Sequence, residues 1–194
     1  IMACGTGKTL TTLWIKEDLK SKCTLVLLPS LNLLSQTLSE WYLASKEKFE
    51  ALCVCSDETV TKDLKDSIIE KTSDLSFPTT SDFREIKKFL KTNRSKVIFS
   101  TYQSSPAIAE VFKDKSIKPF DLAIADEAHR CTGNVNSVFT TILDDNIIRS
   151  KKRLFTTATP RTYSARIKKI AKEKDIDIVD MNDENIFGKV FHLL

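Results

Sequence analysis

The sequence predicts a single α/β domain spanning 1–194, a parallel sheet with helices on both faces. Two observations predict it. Apolar runs of strand length recur at Cys23–Leu28 and Leu122–Ala125, and at 51–55, 97–99 and 154–155, and they are continuous rather than alternating, the pattern of strands buried on both sides. Between them lie segments of helical period, and strand alternating with helix implies parallel pairing.

The elements follow in order. Leu10, Leu13 and Trp14 mark a first helix behind a glycine loop, and Leu34, Leu38, Trp41 and Tyr42 share the face of a second. Residues 56–80 turn polar and charged, with Pro78 near the end, and read as a surface excursion that decorates the domain without dividing it. Phe83, Ile86 and Leu90 give a third helical face. After Pro160 a basic amphipathic helix (Ile167, Ile170 and Ala171 among Arg166, Lys168, Lys169 and Lys172) leads into an alternating strand at Ile176-Asp177-Ile178.

Composition narrows the class without naming a function. The chain is 41% hydrophobic with 11 Phe and 2 Trp, enough for one sizeable core. Its 30 basic and 26 acidic side chains leave a net charge of +4, which permits a nucleic-acid partner without requiring one. The 5 cysteines show neither zinc-ribbon spacing nor disulfide-scaffold density, so a cytoplasmic setting is expected. No apolar run approaches the ~20 residues that span a bilayer, and no membrane partner is expected. Cys53 and Cys55 alternate along a strand and read as core packing. Glu85-x-Lys87 lies on a helix without a preceding Pro-Asp, so no nuclease site is assigned to it.

Chemistry concentrates just after the strands. Gly5-Thr6-Gly7-Lys8-Thr9, preceded by Cys4, fits the end of the phosphate-loop pattern G-x-x-x-x-G-K-[ST], with Met2 at the first glycine position. Such glycines let successive N–H groups converge on phosphate oxygens. Lys8 would neutralise β/γ charge and the Thr9 hydroxyl would serve Mg²⁺. An ordinary strand-to-helix turn is the plainer alternative.

Asp126 and Glu127 directly follow the 122–125 run, which places two carboxylates at the C-terminal edge of a parallel sheet, where open α/β folds bind ligands. Asp126 would hold Mg²⁺, and Glu127 would orient and deprotonate an attacking water. An acidic helix cap would explain the pair equally but not the His129 and Arg130 that follow. Thr157-Ala158-Thr159-Pro160 also follows a strand, and its two hydroxyls could bond the 126–129 segment and couple it to the nucleotide state, although in isolation the run reads more simply as a strand-end turn.

Taken in this order, with Pro29-Ser30-Leu31 and Gln36 and with Ser100-Thr101-Tyr102, these segments resemble the first RecA-like, phosphate-loop NTPase domain of superfamily-two DEAH-box helicases and translocases. The resemblance implies ATP and Mg²⁺ as cofactors, DNA as the track, and nucleic-acid contacts from Pro29, Ser30, Thr101 and Tyr102. Without it, Thr101-Tyr102-Gln103 reads equally as a strand-end turn with an exposed aromatic.

A finer resemblance is to the helicases of Type ISP restriction-modification enzymes. It rests on residues 2–9, Leu31 to Gln36 followed by Trp41, Cys53-Val54-Cys55-Ser56-Asp57, Phe77-Pro78-Thr79-Thr80, Phe99 to Ser104, Asp126 to Arg130, Thr157 to Arg161, Met181 to Glu184, and Phe187-Gly188. Asn182 departs from it, standing where an acidic residue is more typical. This resemblance implies a module of a long polypeptide that moves on duplex DNA, with a second RecA-like domain, nuclease and methyltransferase parts elsewhere. The chain begins inside the first motif, so the strand leading into the phosphate loop is expected to precede it. The alternatives are a fragment that binds nucleotide or DNA without turnover, and a non-restriction DNA or RNA helicase.

Overall fold

The computed structural model describes residues 1–2, 5–55, 77–134, 137–174 and 177–189. Strands β1 (Cys23–Leu28), β2 (Glu50–Val54), β3 (Thr79–Thr80), β4 (Lys96–Thr101) and β5 (Leu122–Ala125) pair in parallel, while β6 (Gly133–Asn134) lies outside their sheet. With β7 (Arg153–Phe155) they form one six-stranded sheet in the order β3-β2-β4-β1-β5-β7. Strand β8 (Ile178–Val179) pairs antiparallel with β6 in a separate ribbon. The ribbon takes up Ile178 of the expected last strand; Ile176 lies outside the described residues. So does 56–76 of the polar excursion, whose end, Thr79–Thr80, adds a short edge strand that its composition did not suggest.

Side chains of successive strand residues point to opposite faces, so one set of strands builds two apolar layers. On one face Val26, Leu28, Val97, Phe99, Leu122 and Ile124 pack under Leu13 of helix α1 (Lys8–Asp18) and Leu34, Leu38 and Trp41 of α2 (Leu31–Ala44). On the other, Leu25, Leu27, Ile98, Ala123 and Ala125 meet Ile86 of α3 (Phe83–Leu90) and Ile108, Val111 and Phe112 of α4 (Ser105–Phe112). The one core expected from composition is thus divided by the sheet. Cys53 and Cys55 are buried in the first layer, as core packing predicts.

Helix faces are narrower than the sequence pattern suggested. Trp14 and Tyr42 sit one position beyond Leu13 and Trp41, about 100° further round the helix, and are exposed. Phe83 is also partly exposed, at 40%. In α5 (Ala165–Glu173) Ile167 and Ile170 are exposed and only Ala171 is buried, so that apolar stripe is not covered by the rest of the described chain. Helix α6 (Glu184–Phe187) sets Phe187 against Phe155 with ring centroids 4.9 Å apart. Among the described residues, no helix is long and apolar enough to cross a membrane.

Candidate nucleotide-binding site

Strand register decides where the functional segments go. Leu28 lies opposite Thr101, Leu27 opposite Ala125, and Ala125 opposite Phe155, so four strands end at one level. The segments that follow them, starting at Pro29, Tyr102, Asp126 and Thr156, therefore emerge along one sheet edge. Met2 joins them through a 3.1 Å hydrogen bond from its amide to Thr157 O.

The phosphate loop has the backbone that its glycines permit. Gly5 and Gly7 adopt φ of +75° and +81°, and a Cβ at either would meet nothing within 4 Å, so the loop faces open space. Gly7 occupies the N-cap of α1 with no side-chain cap, leaving the first-turn amides of an 11-residue helix available to an anion. Cys4 lies outside the described residues. Lys8 Nζ stands 3.7 Å from Glu127 Oε1, and Lys8, Thr9 and Asp126 line one cavity of about 10 Å³, the space of a single water.

Asp126 is held at three points. Its amide donates to Leu27 O at 2.9 Å, its carbonyl accepts from the Tyr102 hydroxyl at 2.7 Å, and Oδ1 accepts from Thr156 Oγ1 at 2.7 Å. Burial raises the Asp126 pKa above the ordinary carboxylate value; the Thr156 bond opposes the rise and the neighbouring Glu127 adds to it. Glu127 sits in the left-handed region (φ 49°, ψ 49°), an uncommon conformation for a side-chain-bearing residue that turns the chain sharply out of β5. His129 Nδ1 lies 3.2 Å from Glu127 Oε2 and 3.1 Å from Thr157 Oγ1, linking the carboxylate to the segment after β7.

Placement of the remaining expected residues is mixed. Thr157 is buried and meets His129, whereas the Thr159 side chain is exposed and only its amide engages Thr157 Oγ1, at 3.1 Å. The hydroxyl that reaches Asp126 belongs to Thr156, which the motif reading passed over although it stands beside Thr157 in a hydroxyl-rich run. Pro29 is buried, and partly buried Ser30 caps α2 by accepting from Leu33 N. Thr101 and Tyr102 are fully buried, Thr101 donating to Ser104 Oγ and Tyr102 to Asp126 O. Neither side chain is presented at the surface, and the alternative of an exposed aromatic is likewise not what forms. Trp41, expected on a helix face and among the residues of the finer resemblance, donates from Nε1 to Thr9 O at 3.0 Å; an indole N–H needs a buried partner, a demand that sequence signals without naming the acceptor.

A glycine loop capping a helix beside paired carboxylates at the C-terminal edge of a parallel sheet defines the phosphate-loop NTPase class. Within it the chain belongs to the family described as Type III restriction enzyme, res subunit, whose model matches residues 1–162. Among solved structures, it is similar to a nuclease-deletion mutant of the Type ISP restriction-modification enzyme LlaGI in complex with a DNA substrate mimic, at 31% identity and a TM-score of 0.72, over 98% of this chain and 15% of that one. It is also similar to the ATP-dependent Type ISP restriction-modification enzyme LlaBIII bound to DNA, at 35% identity and a TM-score of 0.74, over 98% of this chain and 13% of that one. The Pyrococcus furiosus Hef helicase domain shares the fold at 20% identity and a TM-score of 0.57, over 96% of this chain and 35% of that one. The chain thus spans about one seventh of the length of the Type ISP enzymes. No curated protein sequence matches it.

Proposed function

We propose that this chain is the ATP-binding half of a motor that hydrolyses ATP to move on duplex DNA, within a restriction-modification enzyme. The observation that carries the proposal is the convergence of Lys8, Thr9, Asp126 and Glu127 on one sheet edge, with His129 bridging Glu127 to Thr157. LlaGI and LlaBIII were solved with a DNA substrate mimic and with DNA, which favours DNA as the track.

In this reading the amides of Gly5 to Thr9 receive the phosphates, and Lys8 leaves Glu127 to pair with the β/γ oxygens. Thr9 and Asp126 are two hard oxygen donors lining a common cavity, a set suited to a cation that takes its other ligands from phosphate and water. A bound Mg²⁺ would neutralise charge developing on the phosphoryl oxygens. Glu127, once free of Lys8, accepts the proton of the attacking water, and His129 passes the change to Thr157. Phosphoryl transfer in this class also draws charge from a facing lobe, so a second RecA-like domain is part of the proposal, with nuclease and methyltransferase parts in the same polypeptide.

Glu127→Gln in the intact polypeptide tests this. DNA-stimulated phosphate release should fall by roughly 10²–10⁴-fold with nucleotide binding retained. Unchanged release would overturn the assignment. A second reading, a module that binds nucleotide without turnover of its own, is favoured by the Lys8–Glu127 pair, which holds both groups away from substrate. Phosphate release by the isolated chain and by the intact polypeptide, each with and without duplex DNA, separates the two.

A further inference from the structure

We infer that Tyr102 is a positioning residue that ties the turn after β4 to the main chain of Asp126, so that displacement of that turn displaces the carboxylate. The inference rests on the motor reading above for its consequence, and on geometry for its premise.

Asp126 receives restraints from three parts of the sheet edge: Leu27 of β1 at its amide, Thr156 beyond β7 at its carboxylate, and Tyr102 beyond β4 at its carbonyl. The first two come from strands immediately beside β5 and move with it. The third reaches across β1, because β4 is two places from β5 in the sheet order. A tyrosine spans that gap, its ring lying in the buried apolar layer and its hydroxyl finding the Asp126 carbonyl.

The ring has little freedom. Tyr102 is fully buried, its ring centroid lies 5.4 Å from that of Phe139, and Cys131 Sγ stands 3.8 Å from its hydroxyl. Next in the chain, Ser105 Oγ bonds Thr141 Oγ1 at 2.8 Å, pinning the start of α4 to the 138–143 segment that also carries Phe139. The turn after β4 is therefore clamped on one side and linked to Asp126 on the other. A 2.7 Å hydrogen bond does not survive a displacement of about 1 Å, which makes the contact a stringent register between the two segments.

Tyr102→Phe keeps the ring and deletes the donor. Phe139→Leu loosens packing around the same ring and leaves the donor in place, which makes it the control for stability. In the intact polypeptide with duplex DNA, Tyr102→Phe should lower DNA-stimulated kcat about tenfold, with KM for ATP within about twofold of wild type. Phe139→Leu should keep stimulation while melting no higher than Tyr102→Phe. Independently of turnover, hydrogen exchange at the Ala128 amide, which is bonded to Thr156 O, should quicken about tenfold in Tyr102→Phe alone.

Full stimulation and unaltered Ala128 exchange in Tyr102→Phe would overturn the inference, as would equal losses in both variants. A wild-type enzyme that DNA does not stimulate would sink the motor reading, and Ala128 exchange would then decide the positioning role alone.

Discussion

Thr156 Oγ1 donates a 2.7 Å hydrogen bond to Oδ1 of Asp126, from a residue 30 positions further along the chain. The bond orients a carboxylate whose ionised form burial disfavours. Thr156→Val retains shape and removes the donor, and a hydrogen bond to a charged group contributes about 1.5–3 kcal/mol. Affinity for Mg²⁺ with nucleotide should weaken roughly tenfold, read by titration with a fluorescent nucleotide. An unchanged affinity would remove Thr156 from the site.

Trp41 anchors the first turn behind the phosphate loop. Its indole is fully buried and bonds Thr9 O, and its ring meets Phe99 edge-on at 5.5 Å. Trp41→Phe preserves most of the apolar burial and leaves the Thr9 carbonyl without this donor. A cost of about 1–3 kcal/mol is expected in denaturant unfolding, together with a several-fold loss of nucleotide affinity.

Lys20 lies at the C-terminus of α1 with φ of 50°. Its amide bonds Glu17 O and the Ser21 amide bonds Lys16 O, the double bond pattern of a left-handed helix stop. Lys20 is exposed and no chemistry is assigned to it. Lys20→Gly should therefore stabilise the domain by up to about 1 kcal/mol, visible as a rise in Tm with turnover unaltered. A lower Tm would mean that the lysine side chain contributes more than its backbone costs.

Lys16 is fully buried, and its ammonium has no hydrogen-bond partner among the described residues, only the Phe49 ring 5.5 Å away. Burial lowers its pKa, against the opposing pull of Glu47 and Glu17. Between that lowered pKa and the ordinary 10.5 the unfolded chain binds more protons, so this group makes stability rise with pH across the window. Below the window the full penalty is present. Lys16→Met should raise Tm at pH 7, and the gain should shrink as pH climbs towards 10.5, as thermal melts at a series of pH values would record.

The sequence by itself determined the class of fold and named the candidates for the site. Continuous apolar runs demand a sheet covered on both faces, as β1, β4 and β5 are, and Gly5, Gly7, Lys8, Asp126 and Glu127 are residue types whose chemistry is local enough to read from order and spacing. It was least informative where a side chain's direction depended on distant neighbours. Tyr102, Trp41 and Thr156 show no local sign of their acceptors, because each hydrogen bond spans 24 to 32 positions and exists only once strand register has aligned the segments. Helix faces were read too wide for a related reason: periodicity marks Tyr42 and Ile167 as apolar, and only the packed neighbours decide which part of a stripe is covered. Tertiary structure also turned Thr101 and Tyr102 inward, since residues closing a fully buried strand have an apolar layer, rather than solvent, on either side.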